Sequence, residues 1–505
     1  MRSSRRDLPL VAALTILGTP GYASATEPPA PAPQTTAPPV AASPSAAPFY
    51  GYEDGIFFLR DRRGDLRLYP RALVALDAHG FFGKGADTLS ASEAGVDLAT
   101  SFFVRKARFG LGGELFHRIA FDAGVDVAAR PAIDGAATGQ PEHVVALDDA
   151  WAELDIGRGV RIMGGVFQAP FSLENRSSIG DLGLMERNVA IRGFAIPGGK
   201  ALGVSAGGSL PHEILCWDVG VFGAESVIPG QFQRHFDGIG RAYMRPLGGR
   251  RTSGLRGLQI GVSARAGNRL PRDVSDDMPS INTAQGFPLL RPTHLDRRGR
   301  TIHVIPSGMQ AAGGLELRIP AGGWDFRAEA YYVSRGTREA IDGHQADTTE
   351  RLGMLRGVGW YAALSIWPLH ARRGGSLPEL GAYPHVKRGE PARAGEPLPR
   401  SRLEVTFLTG GINARYDASI RGGDPRSASA APAPVATGIQ IYQGGLALGY
   451  WHTRHVRFSL NGNLYYVPGS GTPDNLAVVP GNLGQAADPS AHLLGELGAR
   501  TMVQF

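Results

Sequence analysis

This chain of 505 residues has no apolar run long enough to cross a bilayer as a helix, yet it closes on a strand of strict two-residue alternation. Leu497, Ala499, Thr501, Val503 and Phe505 share one face, and Glu496, Gly498, Arg500, Met502 and Gln504 share the other. An alternating last strand that ends on an aromatic residue is the pattern of an outer-membrane β-barrel. In lipid every backbone polar group must be satisfied within the protein, so a membrane protein without spanning helices has to close a barrel. A soluble sheet can end the same way, and the rest of the chain has to decide.

The other end agrees. Arg2, Arg5 and Arg6 precede a short apolar stretch, 8–18, broken by Pro9, and Ala23, Ser24 and Ala25 form a small-residue cleavage site. Residues 1–25 therefore read as a secretory signal, because the stretch is shorter than the roughly 20 apolar residues an anchor needs. Residues 26–48, rich in proline and alanine, read as a disordered tether that cannot bury a core. Residues 49–505 remain as the barrel domain.

Composition fits a chain with water on one side of each strand. Hydrophobic residues make up only 43% of it and glycine contributes 70 residues, too polar a mix for one large soluble core. The single cysteine, Cys216, excludes an intrachain disulfide and a cysteine-based metal cluster. Net charge is +6, and the signal's three arginines and one aspartate leave +4 on the remainder, which gives no reason to expect a nucleic-acid partner. Lys84, Lys106, Lys200 and Lys387 are the only lysines among 52 cations, so any cationic surface is built from arginine.

Sixteen candidate strands follow, centred near residues 72, 109, 124, 151, 164, 203, 219, 242, 261, 314, 330, 362, 409, 444, 461 and 500. The expected fold is all-β: a transmembrane antiparallel barrel of about sixteen strands with long extracellular loops. Connection lengths support it. Tight turns at 117–118, 157–159, 208–212, 320–323 and 452–455 fall at every second connection, with long segments such as 81–100, 169–198, 268–301 and 468–493 between them. Only 369–400 is long where a short turn is due.

Parity along the strands sorts the charges. Arg67, Arg71, Lys106, Arg108, Arg118 and Arg161 lead a set of fourteen cations expected in the lumen, against thirteen carboxylates that include Asp77, Asp122, Asp126, Asp149 and Glu153. This is balance, and most of these side chains are wall residues pairing across strands. The 369–400 segment is biased, with Arg372, Arg373, Lys387, Arg388, Arg393 and Arg400 against Glu379, Glu390 and Glu396.

Residues 54–82 and 105–127 resemble the opening strands of the phosphate-selective porin O/P family. The sharpest match is 161–187, RIMGGVFQAPFSLENRSSIGDLGLMER, which carries the family's G-x-F-x-x-P-F-x-L-E signature and its M-E-R. Those positions are Gly165, Phe167, Pro170, Phe171, Leu173, Glu174, Met185, Glu186 and Arg187. The resemblance implies a trimeric outer-membrane channel for phosphate or related anions, whose third extracellular loop, 169–198, folds inward as a constriction. It permits the 369–400 segment to enter the pore from the periplasmic side. Lys106, Arg108, Arg161, Arg372, Arg373 and Arg388 are then the candidate anion path. Gln168 stands where the family commonly has a lysine, which departs from the pattern.

Two enzyme-like motifs have plainer readings. Gly203, Ser205 and Gly207 match G-x-S-x-G, but a nucleophile elbow needs a helix after the serine and the next segment reads as a turn into another strand. His452 and His455 have metal-like spacing with no acidic ligand nearby, so no metal or other cofactor is expected. The alternatives to an anion channel are a general porin for small hydrophilic solutes, a barrel enzyme, or a structural barrel.

Overall fold

Alternation becomes a wall because each strand has one face for lipid and one for the lumen, and closure removes every sheet edge. The computed structural model describes residues 49–53, 56–84, 100–128, 145–195, 199–224, 234–249, 255, 257–270, 278–290, 293–295, 301–321, 323–341, 349–368, 402–419, 435–452, 455–468 and 492–504. The expected signal and tether, the 369–400 segment and Phe505 lie outside these residues.

A hairpin of β1 (Tyr50–Glu53) and β2 (Ile56–Arg60) comes first. The wall begins with β3 (Leu66–Phe82), β4 (Ser101–Leu115), β5 (Ile119–Asp126), β6 (Ala146–Gly157), β7 (Val160–Gln168), β8 (Lys200–Ser209), β9 (Leu215–Gly223), β10 (Phe236–Met244) and β11 (Gln259–Arg269). Three short strands, β12 (Ile281–Asn282), β13 (Pro288–Leu290) and β14 (Thr293–Leu295), lie in the next connection. The wall resumes with β15 (Thr301–Ala321), β16 (Trp324–Ile341), β17 (Thr349–Ile366), β18 (Arg402–Ser419), β19 (Val435–Trp451), β20 (Val456–Tyr466) and β21 (Leu493–Gln504). Sixteen antiparallel strands thus close the barrel, with β21 returning to β3 from Gly495↔Phe82 to Gln504↔Leu73. Each of the sixteen strand centres read from the sequence falls inside one of them. The connections that follow β4, β6, β8, β15 and β19 are short and share one rim, those that follow β7 and β11 are long and share the other, and the one that follows β17 is long but leaves from the short-turn rim.

The outer face is apolar, with Val204, Val219, Val221, Val262, Leu315, Leu448, Leu460 and Leu497 all exposed. Exposed aromatics bound this belt: Trp217, Trp324, Tyr450 and Phe458 towards the short-turn rim, and Phe82, Phe102, Phe236 and Tyr466 towards the long-loop rim. Phe458 and Tyr466 lie eight residues apart on β20, about 21 Å along the barrel axis for strands tilted by about 40°. That matches the roughly 25 Å apolar band of an outer-membrane barrel. No described helix is long and apolar enough to cross a membrane.

Candidate functional site: the lumen and its inward loops

The lumen is not lined evenly. Two connections from the long-loop rim fold into it, and they pack an apolar core against β9 to β21. The first is 169–199, the third long connection. It contains a helical turn at Leu173–Arg176 and a π-helical turn at Ala190–Ala195. Phe171, Leu173, Val189, Ala190, Ile191 and Phe194 are fully buried inside the barrel. The Phe171 ring stacks on Tyr331 of β16 with centroids 6.1 Å apart. The π-helical turn sits on Gly359 of β17, where a Cβ would come within 3.0 Å of Phe194 and 3.1 Å of Ala190, so a larger residue would push the turn off the strand by a few tenths of an ångström.

Polar clamps complete the attachment. Glu329 of β16 accepts the backbone N–H of Leu173 at 2.9 Å and of Glu174 at 2.9 Å. From the opposite wall, Arg457 donates to the carbonyls of Leu182 at 2.5 Å and Gly183 at 2.9 Å, and Arg500 donates to that of Met185 at 2.5 Å. Gln443 accepts the Val189 N–H at 2.9 Å, and Arg335 donates to the Phe194 carbonyl at 2.6 Å. Hydrogen bonds to charged groups are each worth about 1.5–3 kcal/mol. The loop is therefore held on β16, β19, β20 and β21 at once.

The family-like signature builds this loop. Gly165 has φ +130°, and a Cβ there would lie 2.1 Å from the Ala150 carbonyl oxygen on the paired strand. Phe167 is fully buried edge-on to Phe222, with centroids 5.4 Å apart. Pro170 is buried where the chain leaves β7. The Glu174 carboxylate accepts the Asn188 N–H at 2.8 Å and also its side-chain amide, closing the loop on itself. Burial pushes that carboxyl up, despite the donation from Asn188. Arg187 donates to the carbonyls of Glu174, Asn175 and Ser177, capping the helical turn.

Glu186 links the loop to the wall. It meets Arg105 at 3.1 Å and Arg500 at 3.1 Å, while Arg500 also grips Asp77 at 2.7 and 2.8 Å. Burial on its own would raise the Glu186 carboxyl, but the charges of Arg105, Arg500 and Lys106 outweigh it and hold the group below the usual carboxylate range. A depressed value in the folded state adds stability that is complete above the unfolded value of about 4.3 and is lost as pH falls from there towards the folded value. Glu186→Gln should therefore lower the temperature at which the barrel converts to its heat-modified gel form at pH 7. The gap to the unmodified protein should narrow steadily below about pH 4. A gap of constant size across that range would show that Glu186 acts by shape and not by charge.

The second inward connection spans residues 278–290. Its β12–β13 hairpin buries Ile281, Phe287 and Leu289, and Arg192 of the first loop donates to the carbonyls of Thr283 at 2.5 Å and Asn282 at 2.6 Å. By length alone this stretch falls within 268–301, one of the long outer connections. Its run of Ile281, Phe287, Leu289 and Leu290 was the available sign that it packs inside.

The cations that keep most access to the lumen lie on β3, β4 and β8. Side chains of Arg71, Arg108 and Lys200 keep 37%, 25% and 21% of their surface, against 3% for Arg241 and 4% for Arg457 and Arg500 on the packed side. Two β-bulges shape this wall. Ala75 pairs with Lys106 but Leu76 pairs with Val104, so Arg105 is an extra residue, and it turns inward beside Lys106. Likewise Gly124 pairs with Asp149 and Val125 with Leu147, so Asp148 joins Asp149 inside. Strict parity missed both, because a bulge sends two successive side chains the same way.

The cluster is nearly self-neutralising. Arg108 reaches Asp126 at 3.1 Å and Asp148 at 3.0 Å, and Lys200 reaches Asp148 at 2.6 Å and Asp149 at 3.0 Å. Arg71 reaches Asp122 at 2.5 Å. Among the described residues Lys106 makes no hydrogen bond or ion pair. Arg161 stands apart, 3.7 Å from Glu153, in a small cavity it shares with Arg176, Asp218 and Arg241. Arg372, Arg373 and Arg388 lie outside the described residues.

Neither enzyme-like motif survives as a site. Ser205 sits in mid-strand, paired with Met163 and Gly220, so no nucleophile elbow forms there. Both ring nitrogens of His455 are engaged, Nδ1 with the Gln504 carbonyl at 2.7 Å and Nε2 with the Tyr52 hydroxyl at 2.5 Å.

A closed sixteen-stranded barrel with an apolar outer belt, a charged lumen and a loop narrowing it is an outer-membrane porin. Residues 81–241 match the family model described as phosphate-selective porin O and P, the family that the 161–187 segment resembles. No curated protein sequence matches the chain. Among solved structures, the anion-selective porin from Comamonas acidovorans shares 10% identity over 87% of this chain and 100% of its own, with a TM-score of 0.45. OmpTdeltaL8 of Vibrio cholerae gives 7%, 87%, 100% and 0.46, and the outer membrane channel DcaP of Acinetobacter baumannii 11%, 88%, 99% and 0.42. Likenesses this distant add nothing to the barrel already defined by its strand pairing.

Proposed function

We propose that this porin passes small anions by passive diffusion along the β3–β8 side of its lumen, with phosphate or a related anion as solute. The observation that carries this is Lys106. Asp122, Asp126, Asp148, Asp149 and Glu186 are each bridged to an arginine or to Lys200, while Lys106, between Arg105 and Arg108 and beside the inward loop, has no carboxylate within ion-pair distance among the described residues. The description of the matching family supports phosphate in particular. We further propose that the chain is exported with residues 1–25 removed, assembles as a homotrimer and works as a channel, not as an enzyme.

The reading is tested by the reversal potential of the purified protein in a planar bilayer under a salt gradient, followed by inhibition of the chloride current with phosphate. Anion preference with phosphate block supports it. Cation preference overturns it. The near balance of cations and carboxylates in the lumen favours one second reading, a general porin, which would show almost no preference and no block.

Arg372, Arg373 and Arg388 complete the proposed path if 369–400 enters the pore. Changing all three to glutamate should then move the reversal potential towards cations, more at low salt than at high, because the screening length is about 10 Å at 0.1 M. An unmoved potential would remove that segment from the path.

A further inference from the structure

Backbone strain gathers on the short-turn rim. Six described residues other than glycine have a positive φ, and five of them, Phe116 (51°), His117 (56°), Arg158 (56°), His212 (58°) and Glu213 (54°), occupy three neighbouring turns. The Arg118 N–H donates to the Leu115 carbonyl at 3.1 Å, so Phe116 and His117 fill the two central positions of a two-residue hairpin loop between β4 and β5. Glycine and asparagine take those positions at least cost. Phe116 is instead 65% exposed there, so it gains little burial from the fold. A bulky side chain held at the surface in a disfavoured conformation points to a contact outside the chain.

The turns form a row. The Phe116 N–H donates to the Asp65 carbonyl at 2.7 Å, the Asp155 N–H to the Arg118 carbonyl at 2.8 Å and the Ser209 N–H to the Gly159 carbonyl at 3.1 Å. These bonds join the tips 61–65, 116–118, 157–159 and 210–214 edge to edge. Successive tips are two strand widths apart, about 12 Å along the rim for strands tilted by about 40°. Exposed Arg62, Arg63, Arg118 and Arg158 stand on them, and none makes an ion pair among the described residues. Arg62 rests over the Phe49 ring, 5.6 Å from its centroid. Most carboxylates beside them are engaged within the turns. Asp61 accepts the Leu66 N–H at 3.0 Å, Asp155 accepts the Gly157 N–H at 2.7 Å, and Glu213 pairs with Arg245.

We propose that this row binds an extended anionic glycan, the carboxylate-bearing polymer of the cell wall that lies beneath an outer membrane. The Phe116 ring offers a plane for the apolar face of a sugar, and Arg118 and Arg158 offer forked donors to its carboxylates. Separated cations on a line of rigid turns suit a partner whose charge repeats along its length. The aromatic girdle residues Trp217, Trp324, Tyr450 and Phe458 lie on strands and mark the bilayer interface, so the tips beyond them face the periplasm and not lipid. Barrels packed side by side in a trimer would leave these tips open. The proposal does not depend on which solute the channel carries.

The test is co-sedimentation of the full-length barrel, in detergent micelles, with purified insoluble cell-wall sacculi stripped of bound protein. The unmodified protein should pellet with them at about 0.05 M salt and be released at about 0.5 M, where the screening length is only about 4 Å. Arg118→Glu combined with Arg158→Glu should lower the bound fraction about tenfold, because a multivalent contact weakens as a whole when two of its ends are lost. Phe116→Gly should lower it several-fold while the temperature of conversion to the heat-modified gel form stays level or rises, since glycine accepts this φ without strain. An unmodified protein that stays in the supernatant overturns the proposal. So does pelleting that these substitutions leave unchanged in folded barrels. Polyglutamate and soluble glycan fragments are compared as competitors at equal carboxylate concentration, and the fragments should compete better. Equal competition would show a surface that reads charge alone, fit for an acidic protein, and would overturn the glycan assignment.

Discussion

Lys106→Glu should reverse the ion preference of the channel, and Lys106→Gln should abolish it. The carboxylates near the inward loop are bridged to other cations and Lys106 has none within ion-pair distance among the described residues, so under the proposed function its ammonium is the charge offered to a passing ion. A unit charge about 6 Å from an ion, at an effective dielectric of about 40, contributes about 1.4 kcal/mol, close to tenfold in relative permeability. Reversing its sign applies that factor twice and places a new carboxylate beside Glu186 and Asp126. Raising the salt from 0.1 M to 1 M shortens the screening length from about 10 Å to about 3 Å, and the difference between the variants should shrink with it. Lys106→Arg should keep the unmodified sign. The measurement is the reversal potential under a salt gradient, and continued anion preference in Lys106→Glu would remove this residue from the path.

Deleting residues 175–183 should raise single-channel conductance several-fold while leaving the sign of the preference unchanged. The segment contains one arginine and one aspartate, so its charge cancels, whereas its volume lies inside the lumen. Arg457 and Gln443 hold the loop against the wall far from β7 and β8, where it starts and ends, and a shortened loop cannot reach them. A sixteen-stranded barrel is wide enough to conduct when such a loop retracts. Arg457→Leu is the gentler companion, since it releases the carbonyls of Leu182 and Gly183 without shortening the chain, and it should give a smaller rise with noisier open levels. Heat-modifiable migration verifies that each variant is folded. Unchanged conductance in a folded deletion variant would mean that ions do not pass beside this loop.

The sequence alone determined the wall. Period-two alternation, the even number of strands and the alternation of short and long connections are local properties, written residue by residue, and all sixteen strands lie where those signals put them. The resemblance carried by 161–187 also implied that the loop 169–198 folds into the lumen. Sequence logic stopped at three places. Arg105 and Asp148 turn inward because a bulge adds a residue to one strand of a pair, and a bulge is a property of the pairing, not of either strand alone. Residues 278–290 pack inside because the first loop offers them an apolar and cationic surface, which exists only once that loop has crossed the barrel. The signature residues themselves proved to be folding residues, closing the loop and clamping it, and Lys106 on β4 is a lumen cation with no carboxylate within ion-pair distance among the described residues. Parity found that lysine facing the lumen. Its lack of a partner depended on where every neighbouring carboxylate came to rest, and only tertiary structure brings residues from β3, β4, β5, β6, β8, β21 and the inward loop within ion-pair distance of one another.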